Sequence, residues 1–181
     1  MSPQVPELPP IGYRGRADRV RARLHADGLV TGDPANVRWL TGFTGSTAWV
    51  VLTPHSTALV TDGRYAERSE AEIAAAGLAA DVDVVVGANR LELRDHVVAL
   101  TGHLAVVGAE AARLSYAVWT ELAEHLPLAA ADGAVEAERR SKDDGELARI
   151  CEACRLADAA LAEVAPRFGD GMTEVDVRDE L

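Results

Sequence analysis

Helical patterns and short apolar runs alternate along most of this chain. Ala17, Val20 and Leu24 recur at helical spacing, and Gly28 is expected to cap that helix at its carboxyl end. Leu29–Thr31 is then a short apolar segment of the kind that forms a strand. The chain is therefore predicted to open with a helix and a strand.

A small helix and a hairpin are predicted next. Asp33 precedes Pro34, and this pair is favourable for the first turn of a helix. Two apolar runs follow, Ala48–Leu52 and Ala58–Thr61, and residues 53–56 between them have turn chemistry. This combination indicates two antiparallel strands.

The middle of the chain predicts a strand, a helix and a second strand. Val82–Val86 and Leu104–Val107 are short apolar runs that are typical of strands covered on both faces. Leu93, Val97 and Leu100 share one face of the helix between them. Short links join these elements, which indicates a βαβ unit with a right-handed crossover.

The strongest periodic signal lies near the carboxyl end. Its apolar residues form one helical stripe: Leu147, Ile150, Cys151, Cys154, Leu161, Val164 and Phe168. Residues 141–144 and 173–176 each have the spacing of a capping box, and Leu128–Val135 before them is weakly strand-like. Because the two cysteines lie on the stripe and lack a second ligand pair, we expect them to pack in a core rather than bind a metal.

Composition and charge exclude several classes of function. The chain has 181 residues, a hydrophobic content of 48% and a net charge of -11. A core of ordinary size is therefore expected, whereas a nucleic-acid partner is not, because neutralising phosphates requires a basic face. No apolar run approaches the roughly 20 residues that span a bilayer. We therefore expect a cytoplasmic protein without a membrane anchor.

Two motifs flank the predicted hairpin, Asn-Val-Arg-Trp-Leu-Thr-Gly-Phe-Thr-Gly-Ser at 36–46 and Thr-Asp-Gly-Arg-Tyr at 61–65. The first resembles a phosphate-binding loop at Gly42-x-x-Gly45-Ser46, but no lysine follows and the next element is a strand. Ser46 also lacks the Gly-x-Ser-x-Gly context of a hydrolase nucleophile. Neither a nucleotide site nor a serine nucleophile is predicted.

Arg64 is the strongest candidate for a binding residue. It follows a buried strand directly, where α/β folds commonly place functional groups. Its guanidinium offers a planar fork to a carboxylate, either on a peptide or on a neighbouring domain. The alternative is a structural ion pair with Asp62 that holds the loop.

Both motifs, in this order and at this separation, resemble the N-terminal domain of the Xaa-Pro peptidase and creatinase family, which includes aminopeptidase P and prolidase. The resemblance implies a three-layer α/β/α domain with a mixed, ribonuclease H-like sheet. An arm at 1–15 would precede this domain at 16–140. Residues 141–181 would be a linker helix and the start of a truncated pita-bread catalytic domain.

The resemblance also implies a function for the complete enzyme. Family members hydrolyse Xaa-Pro peptide bonds with two divalent ions, commonly manganese, cobalt or zinc, held by residues of the catalytic domain. None of those ligands, and no catalytic residue, can be matched to this chain, which is therefore expected to be inactive alone. Phe43, Ser46 and Arg64 would border the active site, and the domain would contribute contacts to a homodimer.

Two other functions stay open on the sequence alone. A creatinase-like domain without catalysis can serve as an interaction module, and the stripe at 147–168 would suit a partner. The chain could also belong to a creatinase-type amidinohydrolase that acts on a small guanidino substrate. A substrate panel on the complete enzyme separates that activity from cleavage at proline.

Overall fold

The computed structural model describes residues 7–169 and 171–180, which form two compact units. One unit is Gly12–Ser141, and the other contains the described residues before Gly12 and after Ser141. The first unit contains the β-sheet and the candidate site, and the second contains the long helix near the carboxyl end.

The strands and helices have the following bounds. Within the described residues, the strands are β1 (Gly28–Thr31), β2 (Ala48–Leu52), β3 (Thr57–Asp62), β4 (Asp83–Gly87), β5 (Val107–Ala109) and β6 (Leu128–Ala130). The helices of the first unit are α1 (Arg16–Arg21), α2 (Pro34–Thr41), α3 (Ala66–Ala75), α4 (Arg90–Thr101), α5 (Tyr116–Ala123) and α6 (Ala134–Arg139). The second unit contains α7 (Asp144–Val164) and α8 (Glu174–Glu180).

The sheet is mixed, with the strand order β4-β3-β2-β1-β5-β6. β2 runs antiparallel to β1 and β3, whereas the β3–β4, β1–β5 and β5–β6 pairs are parallel. Every strand except β2 therefore has its carboxyl end at the same edge of the sheet. From β1 the strands are added outward to β4, and the chain then returns to the other side of β1 as β5.

Each face of the sheet has its own apolar core. Leu29, Val50 and Leu59 face α1, α2, α3 and α6, whereas Val30 and Val51 face α4 and α5. Burying one such side chain stabilises the fold by about 1.5–3 kcal/mol. Helices thus cover both faces, and the predicted α/β fold with a mixed sheet is confirmed.

Two predictions fail where strands approach closely. Gly28 is the first residue of β1 rather than a helix cap, and β5 occupies Val107–Ala109 rather than Leu104–Val107. A Cβ on Gly28 would lie 2.6 Å from the carbonyl oxygen of Leu52, and a Cβ on Gly108 would lie 3.0 Å from that of Gly28. β1 and β5 therefore have glycine at these positions, because a larger side chain would push the neighbouring backbones apart.

Asp33 caps α2 as predicted. Its carboxylate accepts hydrogen bonds from the backbone nitrogens of Ala35, at 3.0 Å, and Asn36, at 3.1 Å. The weak strand pattern at Leu128–Val135 is correct only for β6, because the chain then enters α6. This helix was not predicted, and it carries two residues of the buried polar group described below.

The caps of the last two helices agree only partly with prediction. The box expected at 141–144 is wrong, since Asp143 caps α7. Its carboxylate accepts a hydrogen bond from the backbone nitrogen of Glu146 at 2.8 Å, and its own backbone nitrogen donates to the Glu146 carboxylate at 3.0 Å. The second box is confirmed. The backbone of Thr173 donates to Asp176 at 2.8 Å, and the backbone of Asp176 donates to the Thr173 hydroxyl at 3.3 Å.

The cysteines are exposed, and the expectation that they pack in a core is wrong. Most of the apolar stripe on and after α7 is exposed with them: Leu147, Ile150, Leu161 and Phe168 are 40–48% exposed. Val164 is buried. Helical periodicity therefore identified the helix correctly, but it did not show which face is covered.

The predicted N-terminal arm is only partly described. Residues 1–6 lie outside the described residues, and residues 7–13 have no regular secondary structure. Within the second unit, a Cβ on Gly145 would lie 2.2 Å from the carbonyl oxygen of Pro10, and Arg149 donates to the carbonyl of Pro9 at 2.7 Å. The absence of a side chain at Gly145 therefore lets this segment pack directly against α7.

Candidate functional site

Polar side chains gather at the carboxyl edge of the sheet, the edge at which α/β folds bind ligands. Asp62 ends β3, Thr31 ends β1, and Glu110 follows β5. These residues begin two separate groups. One group, around Arg64, is exposed, and the other, around Glu110, is buried.

Arg64 is held by the aspartate at the end of its own strand. The Arg64 side chain donates to both carboxylate oxygens of Asp62, from Nε at 3.0 Å and from Nη2 at 2.8 Å. Asp62 also accepts from the Arg64 backbone nitrogen at 3.0 Å, which caps a 3-10 turn at Gly63–Tyr65. These bonds lower the pKa of Asp62 and raise that of Arg64. The Arg64 side chain is nevertheless 71% exposed.

The loop before β2 contacts the Arg64 turn through Tyr65. The hydroxyls of Ser46 and Tyr65 lie 2.9 Å apart, and Arg64 Nη2 lies 3.4 Å from the hydroxyl oxygen of Thr47. The Phe43 ring meets the Tyr65 ring edge-on, with centroids 5.6 Å apart. The motifs at 36–46 and 61–65 therefore meet in space, as residues of one site must.

Close packing around Phe43 shapes this loop. Phe43 is only 1% exposed, and a Cβ on Gly45 would lie 2.2 Å from its ring. Gly42 has φ +79°, the left-handed conformation that glycine adopts readily. The buried Phe43 ring therefore anchors the loop in the core, while the Ser46 hydroxyl lies beside the hydroxyl of Tyr65.

A second arginine lies beside the same tyrosine. The guanidinium carbons of Arg64 and Arg68 are 5.4 Å and 5.8 Å from the Tyr65 ring centroid. Arg68 also donates to Thr44 and to Glu72, and Glu72 accepts from the Thr44 backbone at 2.8 Å. The Ser46 hydrogen bond is the main cause that lowers the pKa of Tyr65.

Arg68, Thr44 and Glu72 are not among the site residues predicted from the sequence. Arg68 lies on α3, and Thr44 lies between the two glycines of the loop. One usable signal was the spacing of Arg68 and Glu72, which are one helical turn apart and form an ion pair at 3.0 Å. Burial raises the pKa of Glu72, but the hydrogen bonds from Thr44 and Arg68 outweigh it and lower the pKa overall.

The buried group centres on Glu110, which is 1% exposed. Thr31 donates to one oxygen of Glu110, and Asn36 Nδ2 donates to the other at 2.6 Å. The same amide nitrogen lies 2.9 Å from Glu136, and Arg139 donates to the Asn36 carbonyl oxygen at 2.8 Å. Residues from β1, α2, α6 and the end of β5 are thereby tied together.

Glu110 titrates far from its ordinary range. Burial, together with the nearby charge of Glu136, raises its pKa to about 7, although the hydrogen bonds from Thr31 and Asn36 oppose the shift. The second carboxylate oxygen of Glu136 is buried without a hydrogen-bond partner among the described residues. Sequence reasoning missed this group, and its one local signal was a glutamate directly after a buried strand.

Comparison with known proteins is consistent with both the fold and the two motifs. The sequence profile of the Creatinase/Prolidase N-terminal domain family matches residues 15–141. The chain belongs to this family. The match includes the whole sheet, the Arg64 turn and the Glu110 group.

Individual relatives of this creatinase/prolidase domain are peptidases by name. The "Uncharacterized peptidase YqhT" of Bacillus subtilis (strain 168) is 27% identical over 165 residues, which are 88% of this chain and 44% of that protein. The chain thus spans less than half of the length of the curated relative that it matches.

Solved structures share the fold. The Xaa-Pro dipeptidase from Bacillus anthracis superposes with a TM-score of 0.82 at 24% identity, over 91% of this chain and 46% of that one. The N-terminal domain of the cytoplasmic peptidase PepQ from Mycobacterium tuberculosis H37Rv superposes with a TM-score of 0.59 at 25% identity, over 68% of this chain and 97% of that one. The chain therefore resembles the N-terminal domain of Xaa-Pro peptidases.

The described part of this creatinase/prolidase domain does not fit a metal ion. No three side chains of His, Cys, Asp or Glu come together there in an arrangement that could hold one. None of the described helices is both long and apolar enough to cross a membrane.

Proposed function

We propose that this chain supplies the N-terminal domain of an Xaa-Pro aminopeptidase or dipeptidase, in which Arg64 presents its guanidinium to a carboxylate at the border of the active site. The observation that carries this proposal is the exposed guanidinium of Arg64, held at the carboxyl edge of the sheet by Asp62. Family membership supplies the class of enzyme.

Arg64 combines a fixed position with available donors. Within the described residues its side chain donates through Nε and Nη2, which leaves Nη1 for another acceptor. The Asp62 contact fixes the plane of the guanidinium, so less side-chain entropy is lost when a second carboxylate binds. The fitting acceptor is a peptide carboxylate or an acidic side chain of the catalytic domain.

The hydroxyls of Ser46 and Tyr65 extend the same surface. They lie 2.9 Å apart, and the Tyr65 ring is close to both Arg64 and Arg68. Two guanidiniums favour an anion over a cation at this place, although Asp62 and Glu72 offset their charge. We assign Ser46 to a polar contact beside Arg64, and Phe43 to the support of the loop.

The other features that we propose for the complete enzyme rest on its family membership. Residues 141–181 would begin the catalytic domain, whose own residues would hold two ions of manganese, cobalt or zinc. The substrate would be a peptide with proline in the second position, and the enzyme would be a cytoplasmic homodimer. PepQ, which shares the fold, is itself described as cytoplasmic.

The test of Arg64 uses the domain joined to an active catalytic domain. Arg64→Ala is expected to lower kcat/KM for an Xaa-Pro peptide by about tenfold, because a charge-assisted hydrogen bond is lost. Arg64→Lys keeps the charge without the fork and should recover only part of the activity. Arg19→Ala removes a half-exposed arginine that pairs with Glu138, and it is the matched control. Unchanged kinetics in Arg64→Ala would overturn the proposal.

The class of enzyme is tested separately. Reading the encoding DNA beyond the codon for Leu181 should reveal two Asp, one His and two Glu at the family spacing. The complete enzyme should then cleave an Xaa-Pro dipeptide or a longer Xaa-Pro peptide when manganese is added. Hydrolysis of creatine in place of these peptides would instead assign a creatinase-type activity.

A second candidate function is that of a non-catalytic interaction module. It is favoured by the exposed apolar residues on α7, including Leu147, Ile150 and Leu161. Sedimentation of the purified chain tests it. A monomer that stays soluble at high concentration would argue against an obligate partner.

A further inference from the structure

The loop that carries Ser46 has little support from the backbone. It runs from the end of α2 to the start of β2, and among the described residues no backbone-to-backbone hydrogen bond holds positions 43–46. The Phe43 ring anchors the beginning of this segment in the core. Gly45 then separates Phe43 from Ser46, and glycine restricts the backbone little. The position of Ser46 therefore needs a second fixed contact.

Glu72 on α3 provides a contact of this kind. Its carboxylate accepts from both donors of Thr44, from the backbone nitrogen at 2.8 Å and from the hydroxyl at 2.6 Å. Arg68, one helical turn earlier, donates to Glu72 from Nε at 3.0 Å and also donates to the Thr44 hydroxyl. Hydrogen bonds to a carboxylate are roughly twice as strong as neutral ones. Thr44 is thereby fixed to α3 through its backbone and its side chain.

Thr44 lies two residues before Ser46, and Ser46 contacts the surface around Arg64. The hydroxyls of Ser46 and Tyr65 are 2.9 Å apart, and the guanidinium carbon of Arg64 is 5.4 Å from the Tyr65 ring centroid. A displacement of the loop at Thr44 would therefore withdraw Ser46 from the surface that Arg64 and Tyr65 form.

We propose that Glu72 is a positioning residue, which holds the loop through Thr44 so that Ser46 stays beside Tyr65 and Arg64. This inference rests on the proposed function and deepens it, because it names the residue that keeps the anion-binding surface assembled. If Glu72 served only its ion pair with Arg68, its loss would weaken α3 and leave the loop in place.

The first experiment is ultraviolet titration of the tyrosines in the chain itself. Ser46 lowers the pKa of Tyr65 through its side chain and its backbone. Glu72→Ala should therefore move the ionisation of Tyr65 to higher pH, toward the ordinary range, because Ser46 is withdrawn. Loss of the Glu72 charge alone would act in the opposite direction, since removing a negative charge favours the tyrosinate. A rise thus reports the position of the loop.

Other variants control this titration. Glu70→Ala makes the same change at an exposed position of the same helix and should leave the Tyr65 ionisation unchanged. Glu72→Gln keeps an acceptor oxygen at the same distance along the side chain and should restore the lower pH in part. Thr44→Val removes the hydroxyl from the other side of the contact and should give a smaller rise. It carries the test if circular dichroism shows that Glu72→Ala does not fold. A folded Glu72→Ala or Thr44→Val chain without any rise would overturn the proposal.

Kinetics of the domain joined to an active catalytic domain test the proposed function separately. Glu72→Ala should lower kcat/KM for an Xaa-Pro peptide, mainly through KM, by less than the roughly tenfold loss expected of Arg64→Ala. It should lower kcat/KM little further in a chain that already carries Ser46→Ala, because both changes act through Ser46. A raised Tyr65 ionisation with unchanged kinetics in Glu72→Ala, Ser46→Ala and Arg64→Ala would overturn the proposed function. An unmoved Tyr65 ionisation with impaired Arg64→Ala would overturn only the role of Glu72.

Discussion

Two polar groups occupy the same edge of this sheet, and they differ in what surrounds them. Arg64 at the end of β3 is largely exposed, whereas Glu110 after β5 is 1% exposed. β1 and β5 flank the point where the strand order reverses, which is the usual ligand crevice of an α/β sheet. Here Thr31, Asn36 and Glu110 fill that crevice. The binding surface that we propose lies on the Arg64 side of the edge, while the polar side chains in the crevice tie helices to the sheet.

Removal of the Asn36 side chain should show the difference between the buried and the exposed group most strongly. Asn36→Ala leaves Glu110 and Glu136 without their shared donor and Arg139 without an acceptor, so the free energy of unfolding should fall by about 4 kcal/mol. Urea denaturation measures the change. Asn89→Ala removes an exposed helix cap and should cost only about 1 kcal/mol. Equal losses in the two variants would show that burial does not distinguish these asparagines.

The titration of Glu110 gives the buried group a pH dependence. Its pKa is about 7 in the folded chain and would be about 4.3 in the unfolded chain. Between these values the folded state holds a proton that the unfolded state has released, so the free energy of unfolding falls as pH rises. The expected loss from pH 5 to pH 7 is about 2 kcal/mol.

Urea melts over this range check the titration. Glu110→Gln should flatten the pH dependence, whereas Glu67→Gln at an exposed position should leave it unchanged. The carboxylates with lowered pKa values, such as Asp62 and Glu72, contribute stability that is lost only at more acidic pH. A slope that persists in Glu110→Gln would assign the pH dependence to another group.

Substitution of Gly45 tests the exposed group around Arg64, because it overpacks the loop beside that group. In Gly45→Ala the new Cβ would lie 2.2 Å from the Phe43 ring, which must then move away from Tyr65. The expected destabilisation is about 2 kcal/mol. Gly63→Ala is the matched control, because no heavy atom lies within 4 Å of its added Cβ. Similar melts for both variants would mean that the loop adjusts freely.

The smallest effect concerns the Tyr65 hydroxyl, whose pKa is lowered chiefly by its hydrogen bond with Ser46. Ultraviolet titration of the three tyrosines should show one that ionises at lower pH, and Ser46→Ala should move it toward the ordinary range. Tyr65→Phe should abolish that early titration. If Tyr116→Phe abolished it instead, the assignment to Tyr65 would be wrong.

Local patterns determined most of the strands and helices of this protein and selected one candidate site residue. The apolar runs at 48–52 and 58–61 fixed the hairpin, because a strand buried on both faces needs apolar residues throughout. Asp33 fixed the start of α2 through hydrogen bonds to nearby backbone groups. Arg64 could be selected because the residue after a buried strand emerges at the sheet edge.

The contacts that depend on strand order were decided only by the tertiary structure. Asn36, Glu110 and Arg139 are distant in sequence, and they meet because β5 returns beside β1 and α6 packs against α2. The position of β5 and the exposure of the two cysteines were likewise set by neighbours that periodicity does not specify. A sequence pattern determines which face of an element is apolar, whereas the partner of a buried polar group depends on which elements become neighbours in the fold.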